Sequence, residues 1–257
     1  MDDGDREETV VADRYMLERL TEGGTKALVS GEEAHHLLHV MRRGTGDPVT
    51  LMDRDGFLYE GVIRDVADGL VTVEVQTKKE APGEPGVVVV LLQALCKGDK
   101  MDLVIQKATE LGAAAIRPVT TRRCDVKLDQ DRASKKAQRW NRISREAAKQ
   151  CRRGRAPEVS LPRSLGEALE ETEPGDLLIV LWEGEDATGL RTVLSRSSQS
   201  RRVFVVIGPE GGLTEEEVAL VRARGGVSVT LGPRILRTET AGLCALSCIL
   251  YEWGELE

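Results

Sequence analysis

Residues 203–225 read VFVVIGPEGGLTEEEVALVRARG. Val203–Ile207 is apolar without a break, the pattern of a strand buried on both faces of a parallel sheet. The turn Gly208-Pro209-Glu210-Gly211-Gly212 stops that strand. Thr214 and Glu217 then have the spacing of a capping box, which opens a helix over Glu215–Arg224 that Gly225 closes. A buried strand, a glycine-rich turn and a capped helix make an α/β unit, and in open α/β sheets ligands bind where the strands end. The turn lacks the Lys-Ser/Thr of a P-loop and the spacing of a dinucleotide fingerprint. Alone it reads either as a ligand loop or as a simple turn.

The same alternation extends to both sides. Val87–Leu92 and Leu177–Trp182 are further buried strands, and Lys100–Leu111 (closed by Gly112), Ser134–Cys151 and Glu239–Trp253 read as helices. A short strand, Val227–Leu231, enters Leu231-Gly232-Pro233-Arg234-Ile235-Leu236-Arg237-Thr238-Glu239-Thr240-Ala241. There Thr238 or Thr240 caps the last helix, and Glu239 lies at the positive end of its dipole. Ile235 and Leu236 are apolar residues in a Gly/Pro-bracketed loop, placed either to seat an aromatic ligand or to plug the core. Upstream, TKKEAPGEPG at 77–86 is a polar linker. Before it come a strand at Lys26–Val29, a short helix opened by a Ser30/Glu33 capping box, and strands near Val49–Asp53, Phe57–Ile63 and Leu70–Val75. Asp55-Gly56 and Asp68-Gly69 are hairpin-turn signals because they tolerate positive φ. The expected organisation is a small antiparallel β-barrel or sheet in 1–76, a linker at 77–86, and an α/β domain in 87–257.

Composition narrows the class. At 257 residues, 40% hydrophobic, 31% charged and 3% aromatic, the chain is neither disordered nor collagenous. No apolar run approaches the roughly 18 residues of a spanning helix. Met1–Asp13 holds six acidic residues and one Arg, without the basic start and apolar stretch of a signal peptide, so a cytoplasmic protein is expected. Cys96, Cys124, Cys151, Cys244 and Cys248 form no CxxC pair, and the spacing of Cys244 and Cys248 suits a buried helix face better than a metal site. His35, His36 and His39 share one short helix without acidic or Cys partners at ligand spacing, so no metal is expected. No GxSxG elbow supports hydrolase chemistry. Trp140 and Trp253 read as core, and Trp182, at a strand end, is placed equally well to line a ligand loop.

Charge is uneven. Residues 117–163 carry 15 Lys/Arg and 5 Asp/Glu, a local net of +10 in a chain of net −7. On the Ser134–Cys151 helix, Ala137, Trp140, Ile143, Ala147 and Cys151 form an apolar stripe. Lys135, Arg139, Arg142, Lys149 and Arg153 recur at spacings of three and four on another side, followed by Arg152 and Arg155. Few carboxylates are near in sequence to pair with them. Such a row can follow a phosphate backbone, with counterion release supplying affinity.

Taken together, IGPEGG, LGPRILRTETA, KGDKMDLVIQKATELGAAAIRPVTTRRC and WNRISREAAKQCRRGRAP resemble the RsmE family of bacterial methyltransferases, which modify N3 of one uridine in small-subunit (16S) ribosomal RNA. HHLLHVMRRGTGDPVTLMDRDGFLYEGVI is similar to that family's PUA-like RNA-binding domain, and the likeness runs from about Arg14 to Trp253. The resemblance implies an α/β SPOUT-type parallel sheet with a C-terminal trefoil knot, a PUA-like β-barrel, S-adenosylmethionine as cofactor, and an active site at a homodimer interface. It implies cofactor contacts at Leu181, Trp182, Glu183, Ile207, Gly208, Pro209, Gly211, Gly212, Leu231, Gly232, Ile235, Leu236, Arg237, Thr240 and Ala241. Gln150 and Arg153 fall on substrate-side positions.

As catalytic candidates, Arg153 is placed to stabilise the uracil anion, Gln150 to hold the base edge, and Glu210 and Glu239 to accept the proton. The expected RNA contacts are Arg14, His36, Arg42, Arg43, Arg123, Lys135, Arg139, Arg142 and Lys149. Small residues Gly242, Ala245 and Ser247, with Leu243, Leu246, Ile249 and Leu250, are the expected dimer face. The chain departs from the family pattern at Arg122, Lys149 and Arg152, each time adding positive charge. Two other readings stay open: a non-catalytic ribosome assembly factor on the same fold, and a methyltransferase acting on another RNA position such as a ribose hydroxyl.

Overall fold

A computed structural model of the chain describes residues 14–21, 23–53, 55–81, 83–185, 188–197, 200 and 202–256. The acidic stretch 1–13 lies outside them. Two compact units result: one reaches Gly83 and takes in Arg152–Arg155, and the other comprises Glu84–Cys151 and Ala156–Glu257.

The first unit is a curled six-stranded sheet. Its strands are β1 (Arg14–Met16), β2 (Arg19–Leu20), β3 (Lys26–Val29), β4 (Pro48–Met52), β5 (Phe57–Ala67) and β6 (Leu70–Glu80), in spatial order β1-β4-β5-β6-β3-β2. The two edge strands are separated by only Leu17 and Glu18, whose N–H groups donate to Met52 and Leu28 at opposite edges. One segment therefore seals both edges, which removes the unpaired strand rims that invite aggregation. Tyr15, Ala27, Val29, Leu51, Tyr59, Ile63, Val71 and Val73 fill the interior.

Asp68 and Gly69 both take positive φ (50° and 75°), the two-residue turn expected from the sequence. Other expectations need correction. β6 continues to Glu80, so residues 77–80 of the expected linker are paired strand. Ser30 does precede helix α1 (Gly31–His35), but its side chain makes no capping bond, and Glu33 accepts from the Met16 N–H at 3.2 Å. A π-helical turn, His36–Val40, follows that helix.

The second unit is mixed α/β. Its strands are β7 (Val88–Ala94), β8 (Ala115–Thr120), β9 (Glu158–Val159), β10 (Arg163–Ser164), β11 (Leu177–Leu181), β12 (Arg202–Ile207) and β13 (Val227–Val229), all parallel. The path β10-β8-β7-β12-β11-β13, with β9 also on β8, puts β7 and β12 at the centre. The helices are α2 (Lys100–Glu110), α3 (Gln130–Gln150), α4 (Leu165–Leu169), α5 (Leu190–Arg196), α6 (Glu215–Ala223) and α7 (Thr238–Glu252).

Alternation along the strands separates two cores. Val89, Leu91, Ile179, Val203, Val205 and Ile207 pack with Met101, Val104, Trp140, Leu194, Leu246 and Ile249. Val90, Leu92, Leu178, Val180, Phe204 and Val206 pack with Leu165, Leu169, Val218 and Val221. Each fully buried aliphatic side chain stabilises by about 1.5–3 kcal/mol over the exposed state. Helices thus cover both faces of the sheet and leave the carboxyl ends of β11, β12 and β13 to loops.

The expected Thr214/Glu217 capping box is present. Helix α3 begins four residues before the expected Ser134, with Asp129 accepting from the Arg132 N–H as its cap. Helix α7 is capped by neither threonine: Arg237 holds the N-cap position and Thr238 is already helical. Cys248 is exposed, so the Cys244/Cys248 face of α7 is not buried in this chain. Gly242, Ala245, Leu246, Ile249 and Leu250, expected at a dimer face, are buried within the chain's own core. Cys248 and Tyr251 are exposed, while Leu243, Cys244 and Ser247 are half-buried, Leu243 packing against the core.

Candidate active site

A cleft of about 790 Å³ opens at the carboxyl ends of β11, β12 and β13. That is within the roughly 300–1,000 Å³ of small-ligand sites. Three loops build it: one from Leu181, one from Ile207, and one from Leu231.

The loop after β12 is held from every side. Thr238 Oγ1 donates to the Gly208 carbonyl at 2.6 Å and accepts from Gln93 Nε2 at 2.9 Å, a buried chain that ties the loop to β7 and α7. Arg123 Nη1 donates to the Gly211 carbonyl at 3.0 Å. Glu210 Oε1 accepts from the Lys97 N–H at 3.0 Å and from Lys100 Nζ at 2.9 Å. Burial raises the Glu210 carboxyl, but the Lys100 hydrogen bond and those from the backbone N–H groups of Glu210 and Lys97 outweigh it and hold it below its ordinary value. Lys100 also lies 3.4 Å from Glu239 Oε2, so one ammonium joins the carboxylates of two cleft loops. Gly212 sits at φ +72°, a conformation that β-branched side chains essentially never adopt.

The loop after β11 is braced through Glu185. Its Oε2 accepts from Ser228 Oγ at 2.6 Å and pairs with Arg222 at 3.3 Å, while Oε1 accepts from the Thr188 N–H at 3.1 Å. The Arg222 guanidinium lies 5.6 Å from the centre of the Trp182 ring. The loop after β13 has fewer ties: Gly232 takes φ +97° and exchanges bonds of 3.2 Å with Thr230 Oγ1. Ile235 is 84% exposed and plugs no core.

Of the residues expected to contact a cofactor, Leu181, Trp182, Glu183, Ile207, Gly208, Pro209, Gly212, Leu231, Gly232, Ile235, Leu236, Arg237 and Ala241 line this cleft. Gly211 and Thr240 do not. Glu210 and Glu239 are drawn together, but around Lys100, an arrangement that braces loops more than it frees a base. Gln150 is exposed and lines a different groove, with Gln106, Lys107, Glu110 and Arg142 between α2 and α3. Arg153 is 5% exposed and belongs to the first unit.

Sequence reasoning missed Lys100, Glu185, Leu213, Val229, Thr230, Pro233, Arg234 and Thr238 as lining residues. Position at the end of β13 signals Val229 and Thr230. Lys100 had no signal, since it reaches the cleft from the first turn of α2.

The basic row of α3 is better paired than its local sequence suggested. Arg139 forms a hydrogen-bonded ion pair with Asp102 on α2, Lys149 is 3.4 Å from Glu146, and Arg132 is 3.3 Å from Asp129. Lys135 and Arg142 are exposed, as are Arg122, which pairs with Glu216 at 3.5 Å, and Arg123. In the first unit His36 is exposed with its ring 5.8 Å from that of Tyr15, Arg42 is exposed at φ 55°, Arg43 is half-buried, and Arg14 donates to the Arg152 carbonyl. Among the described residues no group of three His, Cys, Asp or Glu could hold a metal, and no helix is long and apolar enough to cross a membrane.

Comparison with known proteins agrees with this layout. An RNA methyltransferase domain matches residues 83–250, and an RNA methyltransferase PUA domain matches 29–76. Ribosomal RNA small subunit methyltransferase E of Bacillus subtilis is 39% identical over 232 residues, covering 87% of this chain and 89% of the relative. The protein of the same name from Mycobacterium bovis is 35% identical over 245 residues, covering 93% and 92%. Solved structures are similar as well, two of them with a cofactor bound. A putative methyltransferase from Legionella pneumophila with bound cofactor SAM has a TM-score of 0.81 at 33% identity, covering 94% of this chain and 98% of its own. Ribosomal RNA small subunit methyltransferase E from Neisseria gonorrhoeae, bound to S-adenosyl methionine, has a TM-score of 0.82 at 29% identity with the same coverage.

Proposed function

The chain belongs to the ribosomal RNA small subunit methyltransferase E family, and on that premise we propose that it methylates N3 of a uridine in small-subunit ribosomal RNA from S-adenosylmethionine. Methylation of ribosomal RNA from S-adenosylmethionine is the family-level activity; the acceptor atom is the finer part of the reading.

The observation that carries it is the cleft at the ends of β11, β12 and β13. Its volume suits the cofactor. Leu181, Ile207, Leu213, Leu231 and Leu236 offer an apolar wall, and the Glu183 carboxylate lies on the same lining. Bound there, the cofactor supplies a methyl group already activated on a sulfonium. The residues of the chain must then orient the acceptor and ease loss of its proton. Lys100 pairs with both Glu210 and Glu239 and so ties two loops together. Arg153 is the residue proposed to stabilise the anion that develops on the uracil as N3 loses its proton, with Gln150 on the substrate side. The remaining expectations from the family resemblance enter as part of the same reading: a SPOUT-type trefoil knot through the C-terminal loops, action in the cytoplasm, and a homodimer, for which only Leu243 and Ser247 of the expected face are not buried in the chain's own core.

The test is nucleoside mass spectrometry on small subunits incubated with the protein and methyl-labelled cofactor. Labelled 3-methyluridine is expected; label on a ribose, or none, overturns the reading. Arg153→Ala should keep cofactor binding and lose most methyl transfer. A wild-type transfer rate in that variant removes Arg153 from the chemistry.

A further inference from the structure

The loop after β13 presents two cations and a large apolar side chain together, outward, at the rim of the cleft. Arg234 and Arg237 are exposed, and among the described residues neither guanidinium makes a hydrogen bond or ion pair. Between them Ile235 is 84% exposed, the most exposed of the large hydrophobic residues described. Several surface guanidiniums elsewhere in this unit are paired, Arg122 with Glu216, Arg139 with Asp102 and Arg222 with Glu185. Arg142 and Arg145 on α3 are exposed and, among the described residues, unpaired like Arg234 and Arg237. What sets the β13 loop apart is the exposed isoleucine between its two cations, at the mouth of the cleft. Leaving an isoleucine in water between two unpaired arginines stabilises nothing in the isolated chain. Cations flanking an apolar tip complement a nucleic-acid strand, in which phosphates alternate with stackable bases.

This inference rests on the reading that the acceptor is N3 of a uridine. N3 lies on the Watson–Crick edge, so its base must leave any pairing and stacking before methyl transfer. We propose that Arg234, Ile235 and Arg237 receive the RNA strand at the mouth of the cleft. The two guanidiniums take the phosphates flanking the target nucleotide, and Ile235 fills the place that its base vacates. Apolar wedges do this at base steps that other proteins open. The same loop lines the cleft with Leu236, so one segment both walls the pocket and delivers the base to it.

The experiment uses the full-length protein and small ribosomal subunits from cells lacking the modification, assayed across a salt series. Combined Arg234→Ala and Arg237→Ala should raise KM for subunits roughly tenfold near 0.1 M salt. It should also flatten the slope of log KM against log salt by about 1.4, since each single-strand phosphate that is no longer neutralised removes about 0.7. The double lysine variant should keep the slope. Ile235→Ala should lower kcat without raising KM, because it acts after the strand has docked. Affinity for S-adenosylmethionine, measured by calorimetry without RNA, should fall by much less than KM rises in the double alanine variant, although Arg234, Ile235 and Arg237 also line the cleft. An unchanged salt slope overturns the proposal. So does a KM increase matched by an equal loss of cofactor affinity, which assigns the arginines to the cofactor. Wild-type protein that leaves the subunits unmethylated overturns the underlying reading instead.

Discussion

The two glycine-rich loops of the cleft are built in opposite ways. Residues 208–212 are tied by Thr238 at the Gly208 carbonyl, by Lys97 and Lys100 at Glu210, and by Arg123 at Gly211. Residues 232–237 have a short bond pair at Thr230 and the start of α7, and they turn Arg234 and Ile235 to solvent. A loop braced at this many points keeps its shape when a ligand arrives, which lowers the ordering cost of binding. A loop with unpaired cations and an exposed apolar tip has its partners elsewhere. On the proposed reading this contrast is a division of labour, with the first loop a preformed seat and the second the part that meets the large substrate.

The largest effect should come from cutting the buried chain beneath the first loop. Thr238→Val keeps the shape but leaves the Gln93 amide and the Gly208 carbonyl without their shared hydroxyl. Gln93 Nε2 keeps its 3.2 Å bond to the Ala94 carbonyl, so the chief loss is the partner of the Gly208 carbonyl. Leaving such a group unsatisfied costs about 1–3 kcal/mol, and a stability loss of about 2 kcal/mol is expected in urea unfolding. A loss below about 0.5 kcal/mol would show the first loop is no better braced than the second.

The next effect is pH-dependent. Glu210 titrates below its ordinary value of 4.5, so its ion pair with Lys100 contributes fully above that value and is lost as pH falls through the lowered one. Glu210→Gln should therefore be less stable than wild type near neutrality and converge with it in acid. Parallel curves down to the acid transition would mean that the carboxylate charge contributes nothing to the loop.

In the second loop, Ile235→Ser should shift stability by no more than about 0.5 kcal/mol, the usual range for surface changes. A drop like that of Thr238→Val would mean that Ile235 is packed in solution and that the contrast is false.

Legibility from sequence followed the same physical lines. Elements fixed by local chemistry were readable: the all-apolar β12, the Thr214/Glu217 box, and the Asp68-Gly69 turn. Strand β8 was not, because Arg117 and Pro118 break its pattern. The sheet tolerates the proline through a gap. β9 pairs at Ala115 and Ile116, and β10 at Val119 and Thr120. The Ile116 carbonyl faces β9, accepting from Ser160, and that of Val119 faces the β7 side, accepting from Leu95. By alternation Pro118, which has no N–H to give, faces the space between the two short strands.

The site was readable where three loops follow three strand ends. It was not where a side chain arrives from elsewhere in the chain, as Lys100 does from α2, or where partners distant in sequence neutralise a charge, as Asp102 does for Arg139. The helix α7 failed for a related reason. Its apolar residues form a pattern that serves a core and an interface equally well, and only packing separates Leu246 from Tyr251.

The most direct measurement of the central claim, that the loop after β12 is the cofactor seat, is calorimetric titration of the full-length protein with S-adenosylmethionine, alongside Gly212→Val. The wild type should bind one equivalent per chain with a negative heat-capacity change. The variant, with a β-branched residue at φ +72°, should bind at least about tenfold more weakly. Equal affinity in the two proteins, or no binding by the wild type, would contradict the claim.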